Sequence, residues 1–193
     1  MHKIAILSST NGTNLQSFID ARDAEGLRDI EIACFLTNKA KCGALKKAKK
    51  AGLKTHVIPS KGKAREEYDR QVMEALEPYD LDLIVLGGYM RIIGPEMIKR
   101  YKHKIINVHP SLLPKFAGGM SKSVHQAVIE AGEKETGITV HYVDEGVDTG
   151  EILLQKKVVV DPEDTAESLK QKVQALEKEW YPRVVRKLLI DEH

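Results

Sequence analysis

At 193 residues the chain is long enough to bury a core as one domain. Thirty basic residues against 28 acidic ones leave a formal net charge of +2, and their scatter argues against a nucleic-acid surface. No apolar run is long enough to span a bilayer, and the N-terminus lacks the charged, apolar, small-residue order of a secretion signal. Cys34 and Cys42 make neither a disulfide framework nor a metal spacing, and Cys34 sits in an apolar run as a core residue would. The seven histidines include no HxxxH or HxH pair, so no metal site is expected. A reducing cytoplasm is the default compartment.

The first eighty residues alternate strand and helix signals. Residues 3–8 form a short apolar strand, followed by Ser8-Ser9-Thr10-Asn11-Gly12-Thr13-Asn14 and a helical pattern through Leu15, Phe18 and Ile19. Residues 30–36 read as a strand, and 39–51 as a Lys/Ala-rich helix closed by Gly52. The run Lys46-Lys47-Ala48-Lys49-Lys50 within it reads as a solvated face. A strand over 55–58 and a helix over 64–76 follow. Leu83-Ile84-Val85-Leu86 is continuously apolar and ends in Gly87-Gly88, as a parallel strand buried on both faces should. Strands separated by helices imply right-handed crossovers and a mostly parallel sheet, with ligands beyond the strands' carboxyl ends.

Ile105 and Ile106 lead into Asn107-Val108-His109-Pro110-Ser111-Leu112-Leu113-Pro114. Side chains two apart on a strand share a face, so an amide and an imidazole converge there. Residues 136–144 alternate Ile138, Val140 and Tyr142 against Thr139, His141 and Val143, and 151–160 follow as a second strand after a turn at 146–150. That pair reads as antiparallel. Asp161-Pro162-Glu163-Asp164-Thr165 opens a long helix with Pro and acids in its first turn. Its apolar stripe is Leu169, Val173, Leu176 and Trp180, and Pro182 is expected to bend or interrupt it. The fold class expected is therefore α/β: a mostly parallel open twisted sheet with helices on both faces, an antiparallel strand pair, and a long C-terminal helix.

Several residues could carry chemistry, and each also has a plain structural reading. The 8–14 loop is either a capped helix with a polar turn or an anion site at a helix N-terminus; it lacks both the G-x-G-x-x-G spacing and a Walker lysine. His109 could bond a backbone carbonyl at a strand end, or act in acid–base catalysis. Asp148, in Gly146-Val147-Asp148-Thr149-Gly150, could be an ordinary turn residue. Beside His109 it would favour the imidazolium and raise its pKa.

The stretch 107–114, the turn at 146–150 and the opening Ser-Ser-Thr-Asn-Gly-Thr-Asn-Leu-Gln occur in an order that resembles the folate-dependent phosphoribosylglycinamide formyltransferases of purine synthesis. The likeness runs over essentially the whole chain. HPSLLP is shared more widely among users of 10-formyltetrahydrofolate; the opening loop is the more discriminating piece. The resemblance implies one domain over 1–193, with a phosphate-binding half at about 1–100 and a catalytic and folate half at about 101–193. It implies Asn107, His109 and Asp148 as the catalytic group. Gly12, Thr13 and Asn14 would hold the substrate phosphate, and Glu177, just off the apolar stripe, would contact the glycinamide substrate. Met90, Arg91, Ile92 and Ile93 would line the folate pocket together with Asn107, with Arg65 near the folate's glutamate tail. Arg65 and Glu177 would otherwise read as surface residues. His141 falls at a family position and reads first as structural support. Many members have a proline near Ala117 and a shorter loop, so the shape of residues 118–123 and any role of His125 stay open.

The implied reaction is formyl transfer from 10-formyltetrahydrofolate to the primary amine of N1-(5-phosphoribosyl)glycinamide, without a metal. Asn107 and protonated His109 would stabilise the oxyanion, and Asp148 would keep His109 charged. The rival readings are a 10-formyltetrahydrofolate hydrolase, a formyltransferase for another amine, and a non-catalytic folate- or nucleotide-binding module. Partners expected are small molecules, with neither nucleic acid nor membrane, and the chain is expected to act as a monomer or homodimer in the cytoplasm.

Overall fold

A computed structural model describes residues 1–119 and 123–191. Seven strands make one sheet: β1 (His2–Leu7), β2 (Ile30–Thr37), β3 (Thr55–Val57), β4 (Leu83–Leu86), β5 (Ile105–His109), β6 (Glu135–Tyr142) and β7 (Ile152–Val159). Their spatial order is β3-β2-β1-β4-β5-β6-β7. The first five run parallel, β6 adds antiparallel to β5, and β7 adds antiparallel to β6. The chain builds outward from β1 to β3, then returns to β1's other side with β4. The reversal leaves a crevice beyond the carboxyl ends of β1 and β4, where open α/β sheets bind ligands.

Period-2 alternation sorts the strands between two cores. Ile4, Ile6, Leu83 and Val85 face one, with Leu15 and Phe18 from α1 (Thr13–Asp23), Ala44, Leu45 and Ala48 from α2 (Gly43–Lys50), and Val173 and Tyr181 from α6 (Ala166–Arg186). Ala5, Leu7, Ile84 and Leu86 face the other, with Tyr68, Val72 and Leu76 from α3 (Arg65–Leu76) and Met97 from α4 (Pro95–Arg100). The continuous apolar runs reflect burial on both faces.

Three local expectations change. The second helix begins at Gly43, not at residue 39, because residues 39–42 make a turn in which the Cys42 N–H donates to the Lys39 carbonyl. Sequence periodicity gave no sign of α4 or of α5 (Val124–Glu130), which have only six and seven residues, about the length at which apolar spacing stops being readable. α6 runs through Pro182 without interruption and passes into a π-helical turn at Lys187–Asp191. Its buried stripe also turns by one position: Leu169, Val173, Glu177 and Tyr181 face inward at a spacing of four, while Leu176 and Trp180 only flank the core. Glu177 therefore lies on the buried stripe, not beside it.

Candidate active site

The carboxyl end of β5 places Asn107 and His109 on one face, and the antiparallel register sets His141 of β6 directly across from Asn107. The Asn107 amide Nδ2 lies 3.4 Å from His141 Nε2. Asp148 comes in from the turn beyond β6 with a left-handed backbone (φ 56°), a conformation that Asp tolerates better than most residues. Asp144 braces that turn by accepting from the Gly146 N–H at 3.0 Å and from the Thr149 hydroxyl at 2.6 Å. The Asp148 carboxylate then reaches both imidazoles: Oδ2 is 3.3 Å from His109 Nδ1 and Oδ1 is 3.7 Å from His141 Nε2. The Gly118 N–H donates to the same Oδ2 at 2.9 Å. The three residues singled out at 107, 109 and 148 thus converge, and His141 makes a fourth.

His109 is buried, and both its ring nitrogens face acceptors, since Nε2 lies 2.9 Å from the Phe116 carbonyl. That surrounding suits an imidazolium. Burial outweighs it: desolvation lowers the pKa below 6.5, opposed in part by Asp148 and the Phe116 carbonyl. Asp148 draws the His109 pKa upward as expected, but the loss of water around the ring is the larger effect and the net shift is downward.

These groups open onto a cleft of about 220 Å³ walled on its other side by residues 88–93. Met90 and Ile92 leave 44% and 40% of their surface exposed there, an apolar wall with nothing packed on it. Ile93 lines the cleft but is itself buried in the core, anchoring the loop. The Arg91 guanidinium stacks 4.8 Å over the Tyr68 ring, and its Nε is buried without a hydrogen-bond partner. Tyr68 and Tyr89 share a hydroxyl–hydroxyl bond of 2.6 Å beneath it, and Asp69 accepts the Gly94 N–H at 2.6 Å where the loop ends. Arg65 stands apart: it is exposed at the first turn of α3, outside the cleft lining, with only its stem beside Gly94. Of the 118–123 loop, Met120, Ser121 and Lys122 lie outside the described residues. His125 is buried in α5, its Nδ1 without a partner, and desolvation lowers its pKa.

The second group of residues lies at the crevice beyond β1. Gly12 caps α1 in the left-handed region (φ 76°) with no side-chain cap bond, so the first N–H groups of the helix are free to meet an anion. A Cβ on Gly12 would lie 2.7 Å from Ala44 Cα, so α2 packs directly on this turn. Lys47 of α2 reaches the same place, its Nζ 3.4 Å from the Gly12 carbonyl. The lysine cluster is therefore not a solvated face throughout; Lys46, Lys49 and Lys50 are exposed, while Lys47 turns inward beside buried Ala44 and Ala48. Asn14 directs its side chain away from the turn, donating to Glu177 Oε2 at 3.2 Å, while its Oδ1 is buried without a partner. Glu177, buried among apolar groups, has its carboxyl pushed up to about 7 by desolvation, with the Asn14 bond pulling the other way.

Known proteins resemble this chain over nearly its whole length. A family described as formyl transferase matches residues 2–185. A phosphoribosylglycinamide formyltransferase of Haemophilus influenzae is 43% identical over 187 residues, covering 96% of this chain and 86% of that one. Its counterpart in Bacillus subtilis is 38% identical over 190 residues, covering 98% and 95%. The crystal structure of phosphoribosylglycinamide formyltransferase from Bacillus halodurans superposes with a TM-score of 0.93 at 37% identity, covering 99% and 97% of the two chains. With a match over nearly its whole length, the chain belongs to the formyl transferase family.

Proposed function

We propose that this protein transfers the formyl group of 10-formyltetrahydrofolate to the primary amine of N1-(5-phosphoribosyl)glycinamide, a step of de novo purine biosynthesis. The observation that carries this reading is the Asp148–His109 contact at 3.3 Å on the face shared with Asn107, opposite an unpacked apolar wall. A free helix N-terminus with Lys47 stands on the adjoining crevice. One place suits an acyl donor with an apolar ring system, and the other a phosphate.

The amine is a competent nucleophile once neutral, so no covalent enzyme intermediate is needed. Its nitrogen attacks the formyl carbon, the carbonyl oxygen takes the negative charge, and collapse breaks the bond to N10 while a proton passes from the attacking nitrogen to the leaving one. The protein supplies alignment and charge stabilisation. Asn107 Nδ2 is a neutral donor to the oxyanion. Burial disfavours the charged form of His109 in the free protein, and a growing oxyanion beside it favours the imidazolium. The proton that the attacking amine sheds is taken up by His109, whose charge appears as the oxyanion forms and leaves when that proton passes on to N10 as the bond breaks. To reach the oxygen, Nε2 must exchange its bond with the Phe116 carbonyl for one with the substrate. Asp148 fixes the ring from the Nδ1 side, and His141 holds Asn107 and Asp148 in place.

Gly12, Thr13 and the Asn14 main chain hold the phosphate, and Glu177 faces the glycinamide substrate. Met90, Ile92 and the flanking Arg91 and Ile93 receive the folate, and Arg65, outside the cleft lining, would meet only its glutamate tail. The phosphate-binding residues before position 100 and the catalytic residues after it act as halves of one domain, although the folate wall itself belongs to the first half. We place the reaction in the cytoplasm, with the chain acting as a monomer or homodimer and without nucleic-acid or membrane partners. Cys34 and Cys42, both free and buried, suit a reducing compartment. Among the described residues no helix is long and apolar enough to cross a membrane.

The test is formyl transfer followed by absorbance, with and without phosphoribosylglycinamide. Turnover that requires the amine is expected. Release of formate without it would make the protein a hydrolase, and folate binding without turnover would make it a binding module.

A further inference from the structure

The carboxyl ends of β3, β2, β1 and β4 are tied together, in that spatial order, by one polar chain. Ser60 follows β3 and accepts from Asn38 Nδ2 at 3.2 Å; Asn38 follows β2 and accepts the Ser9 hydroxyl proton at 2.5 Å. Ser9 follows β1, and its oxygen accepts the Met90 N–H, beyond β4, at 2.9 Å. The Ser9 N–H in turn donates to the Gly88 carbonyl at 2.9 Å. Ser9 is 3% exposed, so its hydroxyl has no water to fall back on. It both donates and accepts, so one hydroxyl ties β1 to two other strand ends.

The two loops also meet without room between them. Gly88 holds φ 64°, and a Cβ there would lie 2.6 Å from Thr10 Oγ1; one on Gly87 would lie 2.8 Å from Asn14 Cβ. The 8–14 turn and the 87–93 wall thus behave as one body, with Ser9 as the residue that joins them by two hydrogen bonds and ties both to Asn38 by a third. A ligand that draws the N–H groups at 12–14 toward itself shifts the Ser9 peptide, and with it the Met90 amide and the wall that carries Met90.

We propose that Ser9 is a positioning residue that couples the two subsites, so that phosphate occupancy at the 12–14 turn and folate occupancy against Met90 each raise the affinity for the other. This rests on the assignment of the two subsites under formyl transfer and adds to it a linkage between them. By thermodynamic necessity the factor is the same read from either ligand.

The experiment titrates tetrahydrofolate, which carries no formyl group, into the full-length protein. It is done with and without phosphoribosylglycinamide, and in parallel with and without inorganic phosphate. Wild type is expected to show coupling of at least about fivefold. In Ser9→Ala the factor is expected to fall toward one, with KM for 10-formyltetrahydrofolate rising about tenfold and kcat changing by about twofold or less. Ser9→Thr retains the hydroxyl and is expected to retain coupling. Should Ser9→Ala fail to fold, Asn38→Ala leaves Ser9 in place, removes one of its anchors, and is expected to lose coupling in part. Coupling and folate KM unchanged in both alanine variants would overturn the proposal, even if thermal stability drops, and so would a wild type without coupling. A wild type that shows coupling but no formyl transfer would overturn the reaction and leave this linkage standing. Formyl transfer with coupling indifferent to Ser9 would do the reverse.

Discussion

At the scale of single residues, burial makes the charge of His109 costly, and the proposed transfer gives that charge a use only as the oxyanion forms. His109→Ala and Asp148→Asn are expected to lower kcat about 10²–10³-fold, the range for loss of an oxyanion donor, with much smaller changes in KM; near-wild-type turnover in both would remove the catalytic assignment. The ionisation of His109 offers a separate check. Desolvation holds its pKa below 6.5 and Asp148 draws it upward, so Asp148→Asn, which removes the upward pull, is expected to lower it further. Proton NMR of the imidazole would register that shift, and a rise in the variant would mean the contact with Asp148 does not exist in solution. Lys47 belongs at this scale as well. Nothing in a run of lysines marks one as turned inward, and only the phase of α2, with Ala44 and Ala48 buried, brings it to the Gly12 carbonyl.

At the scale of elements, α6 ties the site together from behind. The Tyr181 hydroxyl donates to the Leu86 carbonyl at 2.7 Å and lies 3.2 Å from the Ile106 carbonyl, pinning the ends of β4 and β5 side by side. One turn earlier on the same stripe, Glu177 reaches Asn14 at the start of α1. Tyr181→Phe keeps the edge-to-face contact with Phe18 (ring centroids 5.3 Å apart) but removes the hydroxyl proton that the buried Leu86 carbonyl accepts. It is expected to cost about 1–2 kcal/mol in denaturant unfolding. Because Asn107 and the 88–93 wall both leave from those strand ends, kcat is expected to fall too. A variant as stable as wild type would show that the hydroxyl is not holding the strands. A proline within this helix is tolerated because the flanking Tyr181, Val184 and Val185 are all buried, and their packing offsets the backbone bond that Pro182 cannot make.

At the scale of the whole molecule, stability should carry the imprint of the buried Glu177 carboxyl. The folded pKa of Glu177, about 7, stands above its ordinary 4.5. The folded state therefore binds the proton more tightly, and the associated stability is full below pH 4.5 and lost as pH rises through about 7. His56, His109 and His125 work in the opposite sense, since burial lowers all three; their contribution is present above 6.5 and lost as pH falls through the lower folded values. Glu177→Gln removes only the first effect. It is expected to match wild type in Tm near pH 4.5 and to exceed it by up to about 3 kcal/mol of stability above pH 7, at the expense of substrate binding. Parallel curves across that range would show that the Glu177 carboxyl is not shifted.

Strand identity, the parallel half of the sheet and the convergence of Asn107 with His109 were legible in the sequence because each depends on neighbours along the chain. Side chains two apart on a strand must share a face, and an apolar run ending in Gly-Gly has few other uses. The motifs at 8–14, 107–114 and 146–150 could be read in order for the same reason. What tertiary structure alone decided involves residues far apart in the chain. Asp148 meets His109 only because β6 folds back along β5, and burial there outweighs the upward pull that a nearby carboxylate gives the His109 pKa. The phase of α6 depends on which face the sheet covers, and a stripe through Leu176 and Trp180 has the same periodicity as one through Glu177 and Tyr181. Periodicity establishes that a helix has a buried side; only packing against β4, β5 and α1 selects which side it is, and with it whether a glutamate at position 177 faces water or the site.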